Sequence, residues 1–194
     1  MENAAKGKII VISAPSGTGK STVIGRLMKV TGLNLGFSIS ATSRSPRAGE
    51  ADGREYWFIT DEEFRRRIEA GDFEEYEEVY AGTHYGTLKS EVERVCDSGR
   101  NLIMDIDVKG ALSVKKLYGD RALSIFLAPP SLEVLEKRLR GRASDSEETI
   151  RARLGKAEYE IGFAPEFDVR VVNDSLDRAV EEMAGAIRGF IARR

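Results

Sequence analysis

Residues 8–22 read KIIVISAPSGTGKST, and this stretch decides the fold. The apolar run Lys8–Ser13 predicts a buried strand, and the spacing of apolar residues over Lys20–Thr31 predicts a helix. A glycine-rich turn between a buried strand and a helix, ending in Lys-Ser, is the pattern of a loop that binds nucleotide phosphates. Its backbone N–H groups and the positive end of the helix would face the anion.

Individual residues of this loop have predicted roles. Gly17 and Gly19 let the backbone turn its N–H groups inward, and Lys20 can reach the β- and γ-phosphates. The usual pattern begins with glycine, where this chain has Ala14, a mild departure. The alternative is a plain glycine-rich turn, but strand, glycines, Lys-Ser and helix all agree on phosphate binding. The residues predicted to bind the nucleoside triphosphate here are Ala14, Pro15, Ser16, Gly17, Thr18, Gly19, Lys20, Ser21 and Thr22.

Beyond the loop, short apolar runs alternate with helical patterns. Asn101–Asp105 and Ala122–Leu127 predict two further buried strands, Val169–Val172 predicts a fourth, and residues 175–193 predict a final helix. Solid apolar strands that alternate with helices indicate a parallel sheet covered on both faces. We therefore expect an α/β, three-layer fold with a central parallel sheet flanked by helices.

Residues 37–87 break this rhythm, because they are richer in glycine, tyrosine and charge. A capping box at Thr60 and Glu63 predicts a short helix that Gly71 ends. This stretch is expected to form a small mixed α/β insert. Its strand-like pieces are Gly36–Ala41, Tyr56–Ile59 and Phe73–Tyr80.

Residues 131–157 also break the rhythm, because they are helical and highly charged. We expect few of their apolar residues to reach a core, so the segment would stand off the body. It is either a mobile lid or a solvated pair of helices, and charge alone favours the solvated pair.

Composition excludes several classes of protein. The 194 residues carry a net charge of −2, which argues against a polybasic nucleic-acid coat or membrane anchor. One cysteine and one histidine exclude a disulfide framework, a cysteine-based zinc site and any mechanism with two histidines. The early apolar run Ile9–Ile12 is too short for a signal sequence or a membrane span. We expect a soluble, cytoplasmic protein with no membrane or nucleic-acid partner.

A second anion site is indicated in residues 38–58, which read SISATSRSPRAGEADGREYWF. Arg44 and Arg47 flank Pro46, and two arginines on a pinned turn suit bidentate grip of a phosphate. The Tyr56 hydroxyl could complete that grip. By itself this stretch fits a charged, solvated hairpin equally well.

Taken together, these motifs resemble the guanylate kinase family. The resemblance runs in family order from about Lys8 to the final helix. It implies a core (1–37, 88–130 and 158–194), a GMP-binding insert (38–87) and a helical lid (131–157) that closes over ATP. The stretches that carry it are SAPSGTGKST, SISATSRSPRAGEADGREYWF, YAGTHYGT, LIMDIDVKG, APPSLEVLEKRLRGR and VVND.

The resemblance implies a GMP site in the insert. Arginines and tyrosines would hold the phosphate, while Glu75, Thr87 and Asp107 would face guanine. Carboxylates accept hydrogen bonds from the N1–H and N2–H₂ of guanine and repel adenine, and a site with unpaired buried polar groups rejects the wrong base strongly. The implied GMP ligands are Ser40, Arg44, Arg47, Tyr56, Glu75, Tyr85, Thr87 and Asp107.

The resemblance also implies the catalytic and metal-binding residues. Ser21 and Asp105 would hold Mg²⁺, and Asn173 would lie near the adenine of ATP. The lid arginines would close on the phosphates, although without the resemblance they fit a helix surface beside glutamates. The implied catalytic residues are Lys20, Arg44, Arg138, Arg142 and Arg153.

The implied reaction is MgATP + GMP → ADP + GDP, with dGMP as a further acceptor. A phosphate monoester has its second pKa near 6, so it is a nucleophile at pH 7 without a general base. One rival is another small-molecule kinase with this phosphate loop. A second is a catalytically inactive, guanylate kinase-like module that binds a phosphopeptide; the intact loop lysine and lid arginines argue against it. The residues leave the oligomeric state open.

Overall fold

The computed structural model describes residues 6–80, 82–141 and 146–193. Within these ranges no helix has the length and apolar character to cross a membrane. The strands are β1 (Ile9–Ser13), β2 (Leu35–Phe37), β3 (Ala41–Thr42), β4 (Trp57–Phe58), β5 (Phe73–Tyr80), β6 (Thr83–Leu88), β7 (Asn101–Asp105), β8 (Ala122–Ala128) and β9 (Val169–Val172). The α-helices are α1 (Lys20–Leu27), α2 (Asp61–Glu69), α3 (Lys89–Cys96), α4 (Val108–Tyr118), α5 (Leu132–Arg140), α6 (Glu147–Gly162) and α7 (Leu176–Ala192).

The core is a five-stranded parallel sheet in the order β2-β7-β1-β8-β9. Ile10 and Ile12 of β1 pack on one face with residues of α1 and α7, while Ile9 and Val11 pack on the other with residues of α3 and α4. All four side chains are completely buried. The predicted three-layer α/β fold is therefore confirmed, because side chains alternate across the sheet and both faces need a covering of helices.

Two predicted elements have other bounds in the structure. The piece Gly36–Ala41 is not one strand of the insert: Leu35–Phe37 pairs with β7 at the edge of the core sheet. The ladder ends where the Ile39 N–H donates to the buried carboxylate of Glu91 instead of to a strand. The first helix ends at Leu27 rather than Thr31, because the chain tightens into i→i+3 bonds there.

The insert forms a mixed four-stranded sheet in the order β4-β3-β6-β5. β3 pairs in parallel with β4 and antiparallel with β6, which pairs antiparallel with β5. Helix α2 covers it through Phe64, whose ring stacks on Phe73 at 4.4 Å. The predicted cap is present, because the Thr60 hydroxyl accepts from the Glu63 N–H at 3.1 Å. The insert thus has an apolar cluster separate from the core.

Helices α5 and α6 pack against each other around Leu135, Leu139, Leu154 and Ala157. The two leucines of α5 are completely buried, and they approach the phosphate loop at Gly17. The expectation that few apolar residues here reach a core is wrong for these leucines, because the high charge of the segment hides a narrow apolar stripe.

Candidate functional site

A cleft of about 490 Å³ lies between the loop after β1, the insert sheet and α6. Most of the predicted site residues line it. Thr18, Thr87, Arg138 and Asn173 are not part of this lining, and Arg142 lies outside the described residues. The predicted residues on the lining are Ala14, Pro15, Ser16, Gly17, Gly19, Lys20, Ser21, Thr22, Ser40, Arg44, Arg47, Tyr56, Glu75, Tyr85, Asp105, Asp107 and Arg153.

The loop after β1 needs its glycines for two reasons. Gly17 and Gly19 have φ angles of 90° and 96°, in the left-handed region that favours glycine. A Cβ on Gly17 would lie 2.8 Å from a Leu139 methyl, and one on Gly19 would lie 2.8 Å from the Asn173 amide nitrogen. Gly19 also caps α1 without a side-chain hydrogen bond, so the first N–H groups of the helix are left for an anion.

Lys20 and Asp105 form an ion pair at the floor of the cleft. The parallel register pairs Ile12 of β1 with Asp105 at the end of β7, which brings this carboxylate beside the start of the loop. The Lys20 ammonium also lies 3.5 Å from the Ile106 carbonyl oxygen. One cation and one carboxylate thus lie next to the helix N-terminus, as a nucleotide with its metal requires.

Arg44 lies on the insert side of the cleft among aromatic rings and a carboxylate. Its guanidinium forms two hydrogen bonds to Glu50, of 2.7 and 2.8 Å, and a third of 3.1 Å to the Tyr85 hydroxyl. The guanidinium carbon lies 5.0 Å from the centre of the Tyr56 ring. Hydrogen bonding to Glu50 raises the pKa of Arg44 and lowers that of Glu50 to about 2. Both groups therefore stay charged at neutral pH.

Glu75 provides a buried carboxyl at the inner wall of the cleft. The Thr87 hydroxyl donates to it at 2.7 Å. Burial, with a smaller contribution from the nearby Asp107 charge, raises the pKa of Glu75 to about 7. A Cβ on Gly110 would lie 2.7 Å from a Glu75 oxygen, so α4 approaches this carboxyl at a residue without a side chain.

Asp107 has a structural role in addition to its place in the cleft. Its carboxylate accepts from the Gly110 N–H at 2.8 Å and caps the N-terminus of α4. The cap holds one carboxylate oxygen in place and leaves the other lone pairs for the cleft.

Arg138 and Asn173 support the phosphate loop from outside. The Asn173 amide donates to the Thr18 carbonyl at 2.7 Å, and Arg138 donates to the Asn173 carbonyl at 2.9 Å. Arg153 enters the cleft from α6, with a nitrogen 3.4 Å from the Ser16 hydroxyl. In this arrangement the Asn173 side chain is buried against the loop and faces its backbone.

Four charged residues near the site are absent from the sequence-based set, and one of them, Glu77, lines the cleft from β5. Lys156 and Glu160 line the cleft from α6, 3.8 Å apart, and burial raises the pKa of Glu160. Glu50 pairs with Arg44. Helical spacing could have placed Lys156, Glu160 and Arg153 on one side of α6, whereas no local pattern marks Glu50 as a partner of Arg44.

Comparisons with known proteins agree with this geometry. The family model described as guanylate kinase matches residues 6–189. A guanylate kinase of Porphyromonas gingivalis is 62% identical over 186 residues, which cover 96% of this chain and 99% of that protein. One of Bacteroides thetaiotaomicron is 55% identical, covering 95% of this chain and 90% of that protein. The crystal structure of guanylate kinase from Anaplasma phagocytophilum superposes with a TM-score of 0.78 at 31% identity, covering 97% of this chain and 88% of that one.

Proposed function

Because the chain belongs to the guanylate kinase family, we propose that its cleft holds GMP on the insert side and ATP at the loop after β1. The protein is an enzyme that phosphorylates GMP with ATP. One observation carries the site assignment: Lys20, Asp105, Arg44 and Glu75 line a single cleft. We retain the division into a core, an insert (38–87) and a lid (131–157) as part of this proposal.

Guanine recognition is assigned to Glu75 and Asp107. Both carboxylates line the cleft, and both are already held by a hydrogen bond, from Thr87 and from the Gly110 N–H respectively. Their remaining lone pairs accept from the N1–H and N2–H₂ of guanine. Adenine presents an acceptor at N1, which a carboxylate repels, so the pair selects guanine.

Phosphate recognition is assigned to Arg44, Arg47, Tyr56 and Tyr85. GMP is mostly a dianion at pH 7 and is its own nucleophile, so this side must neutralise charge rather than remove a proton. Lys20 and Arg153 do the same for ATP from the other side of the cleft. Holding both phosphates in line is the main contribution of the protein to the rate.

Mg²⁺ is assigned to Ser21 and Asp105. The two residues present hydroxyl and carboxylate oxygens to the cleft, and magnesium prefers oxygen ligands. The described residues contain no group of three or more acidic, histidine or cysteine side chains placed to hold a metal ion. That fits an ion held by one carboxylate, waters and the phosphates of ATP. When bound, magnesium would neutralise charge that develops on the transferring phosphoryl group.

Closure of α5 and α6 over the loop is proposed to exclude water. Leu135 and Leu139 already pack against the loop at Gly17, and Arg138 bonds to the Thr18 carbonyl at 3.4 Å. Water at the γ-phosphate would hydrolyse ATP, so a closed cover favours transfer to GMP. We place this reaction in purine nucleotide metabolism in the cytoplasm.

The proposal is tested with Arg44→Ala and a panel of acceptors. We measure ADP formation from MgATP with GMP, AMP, CMP and UMP. Wild-type protein should turn over GMP far faster than the other three. Arg44→Ala should raise the KM for GMP about 100-fold, because it removes a charge that contacts the phosphate. The KM for ATP should change less than about twofold.

Arg65→Ala is the matched control, because Arg65 is an exposed arginine of the same insert, paired with Asp61. It should leave both KM values near those of wild type. An equal loss of GMP and ATP affinity in Arg44→Ala would contradict the assignment of Arg44 to the GMP phosphate.

A further inference from the structure

Glu50 is fixed in place by the turn that precedes it. The Glu50 N–H donates to the Arg47 carbonyl at 3.0 Å, and Gly49 has a φ angle of 87°, so residues 47–50 form a turn that requires glycine at its third position. A Glu50 carboxylate oxygen accepts from the Arg47 N–H at 2.8 Å. The carboxylate therefore lies at a defined position beside both arginines.

Arg44 has five N–H donors, and four of them are already engaged. Nη1 donates to the Ser45 carbonyl at 2.9 Å and to Glu50 at 2.7 Å, while Nη2 donates to Glu50 at 2.8 Å. Nε donates to the Tyr85 hydroxyl at 3.1 Å. One Nη2 hydrogen is left, so in this arrangement Arg44 cannot grip a phosphate with its full fork.

The position of Glu50 relative to the cleft shows whether Glu50 occupies the place of the phosphate or only holds Arg44. Arg44, Arg47, Tyr56 and Tyr85 line the cleft, but Glu50 is not part of the lining. Glu50 therefore bonds to Arg44 from outside the cleft lining, and both Nη groups of the guanidinium donate toward Glu50. A carboxylate that occupied the place of the phosphate would itself line the cleft.

The hydrogen bond from Arg44 also orients the hydroxyl of Tyr85. Its hydroxyl oxygen accepts from Arg44 Nε, so its own hydrogen is directed elsewhere. The Tyr85 ring packs edge-on against Tyr56 at 5.7 Å, which limits where that hydroxyl can lie. The remaining Nη2 hydrogen and the Tyr85 hydrogen are then the two donors that Arg44 and Tyr85 offer to an anion in the cleft.

We propose that Glu50 is a positioning residue for GMP: it holds the fork of Arg44 away from the cleft, so that Arg44 and Tyr85 each present one donor to the phosphate. The proposal rests on the assignment of Arg44 and Tyr85 to GMP. Glu50 itself touches neither substrate. It acts by keeping the guanidinium plane fixed before the phosphate binds. GMP binding then loses less conformational entropy, because the Arg44 side chain is already ordered.

The test is Glu50→Gln, with the Kd of GMP and of guanosine measured by calorimetry. The amide cannot accept both bonds of the fork, so Arg44 loses its orientation. We expect GMP to bind about 10- to 100-fold more weakly. Guanosine lacks the phosphate, so its Kd should change less than about threefold. A role in merely folding the insert would weaken both ligands alike.

Glu55→Gln is the matched control. Glu55 is a carboxylate of the same loop, with a comparable pair of contacts, to Arg54 at 2.6 Å and to the Ala51 N–H at 2.8 Å. It does not line the cleft, and its variant should bind GMP like wild type.

The double variant Glu50→Gln/Tyr85→Phe should bind GMP no more than about threefold more weakly than the weaker-binding single variant, because Glu50 acts in part through the Tyr85 hydroxyl.

Besides an equal weakening of GMP and guanosine binding, two results would overturn the proposal. Tighter GMP binding by Glu50→Gln would show that Glu50 competes with the phosphate, and unchanged binding would show that Arg44 needs no partner. Because calorimetry needs no turnover, these outcomes are readable even if ADP formation fails. Absence of GMP-dependent ADP from wild type would instead contradict phosphoryl transfer in this cleft, and GMP binding by Glu50→Gln would still be measurable.

Discussion

At the scale of single residues, the buried carboxyl of Glu75 links specificity to stability. Burial raises its pKa from the ordinary 4.5 to about 7. Between these values the folded chain keeps a proton that the unfolded chain releases. The corresponding stabilisation is therefore complete below about pH 4.5 and is lost as the pH rises through 7. At pH 8 the protein without GMP holds a desolvated charge.

Glu75→Gln should remove this pH dependence. A pKa difference of this size corresponds to about 3 kcal/mol at most. The free energy of unfolding of the variant, relative to wild type, should therefore rise by about 2–3 kcal/mol between pH 5 and pH 8. Urea unfolding at the two pH values measures it, and Glu62→Gln on the surface of α2 reports the effect of removing an exposed charge. A relative stability that is the same at both pH values would contradict the burial argument.

Glu75 also shows how much of the site could be predicted from sequence motifs. The resemblance implied that Glu75 faces guanine, and the structure brings Glu75 to the cleft beside Thr87 and Asp107. Its base-reading role remains a prediction. The sequence did not predict the pairing of Glu50 with Arg44, six residues away. A loop rich in charged residues gives no periodic signal for which of them pair.

At the scale of elements, the turn from β1 to α1 was predictable because its constraints are local. Gly17 and Gly19 adopt positive φ angles, and the helix begins at Lys20 as the pattern indicates. The end of α1 was less predictable. Helix propensity falls gradually over Val30 and Thr31, so packing rather than composition sets the last turn.

Gly17→Ala should weaken ATP binding with little effect on folding of the core. The positive φ costs about 1 kcal/mol for alanine, and the new methyl would lie 2.8 Å from Leu139. We expect the KM for ATP to rise about tenfold in the ADP-release assay, while the KM for GMP changes less than about threefold.

Gly25→Ala is the control for that variant. Gly25 lies in α1, and no atom lies within 4 Å of the place that an alanine methyl would take, so alanine there should stabilise the protein by about 0.5–1 kcal/mol. A similar ATP affinity in both variants would show that the loop does not need the positive φ of Gly17.

At the scale of the whole molecule, the core sheet and the insert have separate apolar clusters. The core sheet has a cluster on each face, and the insert has its own around Phe64 and Phe73. Separate clusters can open separately, since local unfolding follows the cooperative unit that loses its packing. The insert carries the assigned GMP ligands Arg44 and Tyr85, whereas the core carries the loop.

Phe64→Leu should therefore separate the two binding events. Phe64 is completely buried in the insert, and the smaller side chain should cost about 1–2 kcal/mol there. On heating, calorimetric titration should detect loss of GMP binding several degrees before loss of ATP binding. Phe126→Leu is the same change at an equally buried residue of β8. It should lower the temperatures at which GMP binding and ATP binding are lost by the same amount. Simultaneous loss in Phe64→Leu would show that insert and core unfold as one unit.

The sequence by itself determined the parallel α/β core, the phosphate loop and the family resemblance, because these depend on hydrophobic periodicity and on residues close together in the chain. Only the tertiary structure decided that Leu35–Phe37 joins the core sheet, that Asn173 bonds to Thr18, and that Glu50 holds Arg44. Asn173 and Thr18 are 155 residues apart. The pairings of Leu35–Phe37 and of Asn173 depend on how elements distant in the chain pack together, whereas the pairing of Glu50 with Arg44 depends on the turn at residues 47–50. Neither kind of pairing leaves a periodic pattern in the sequence.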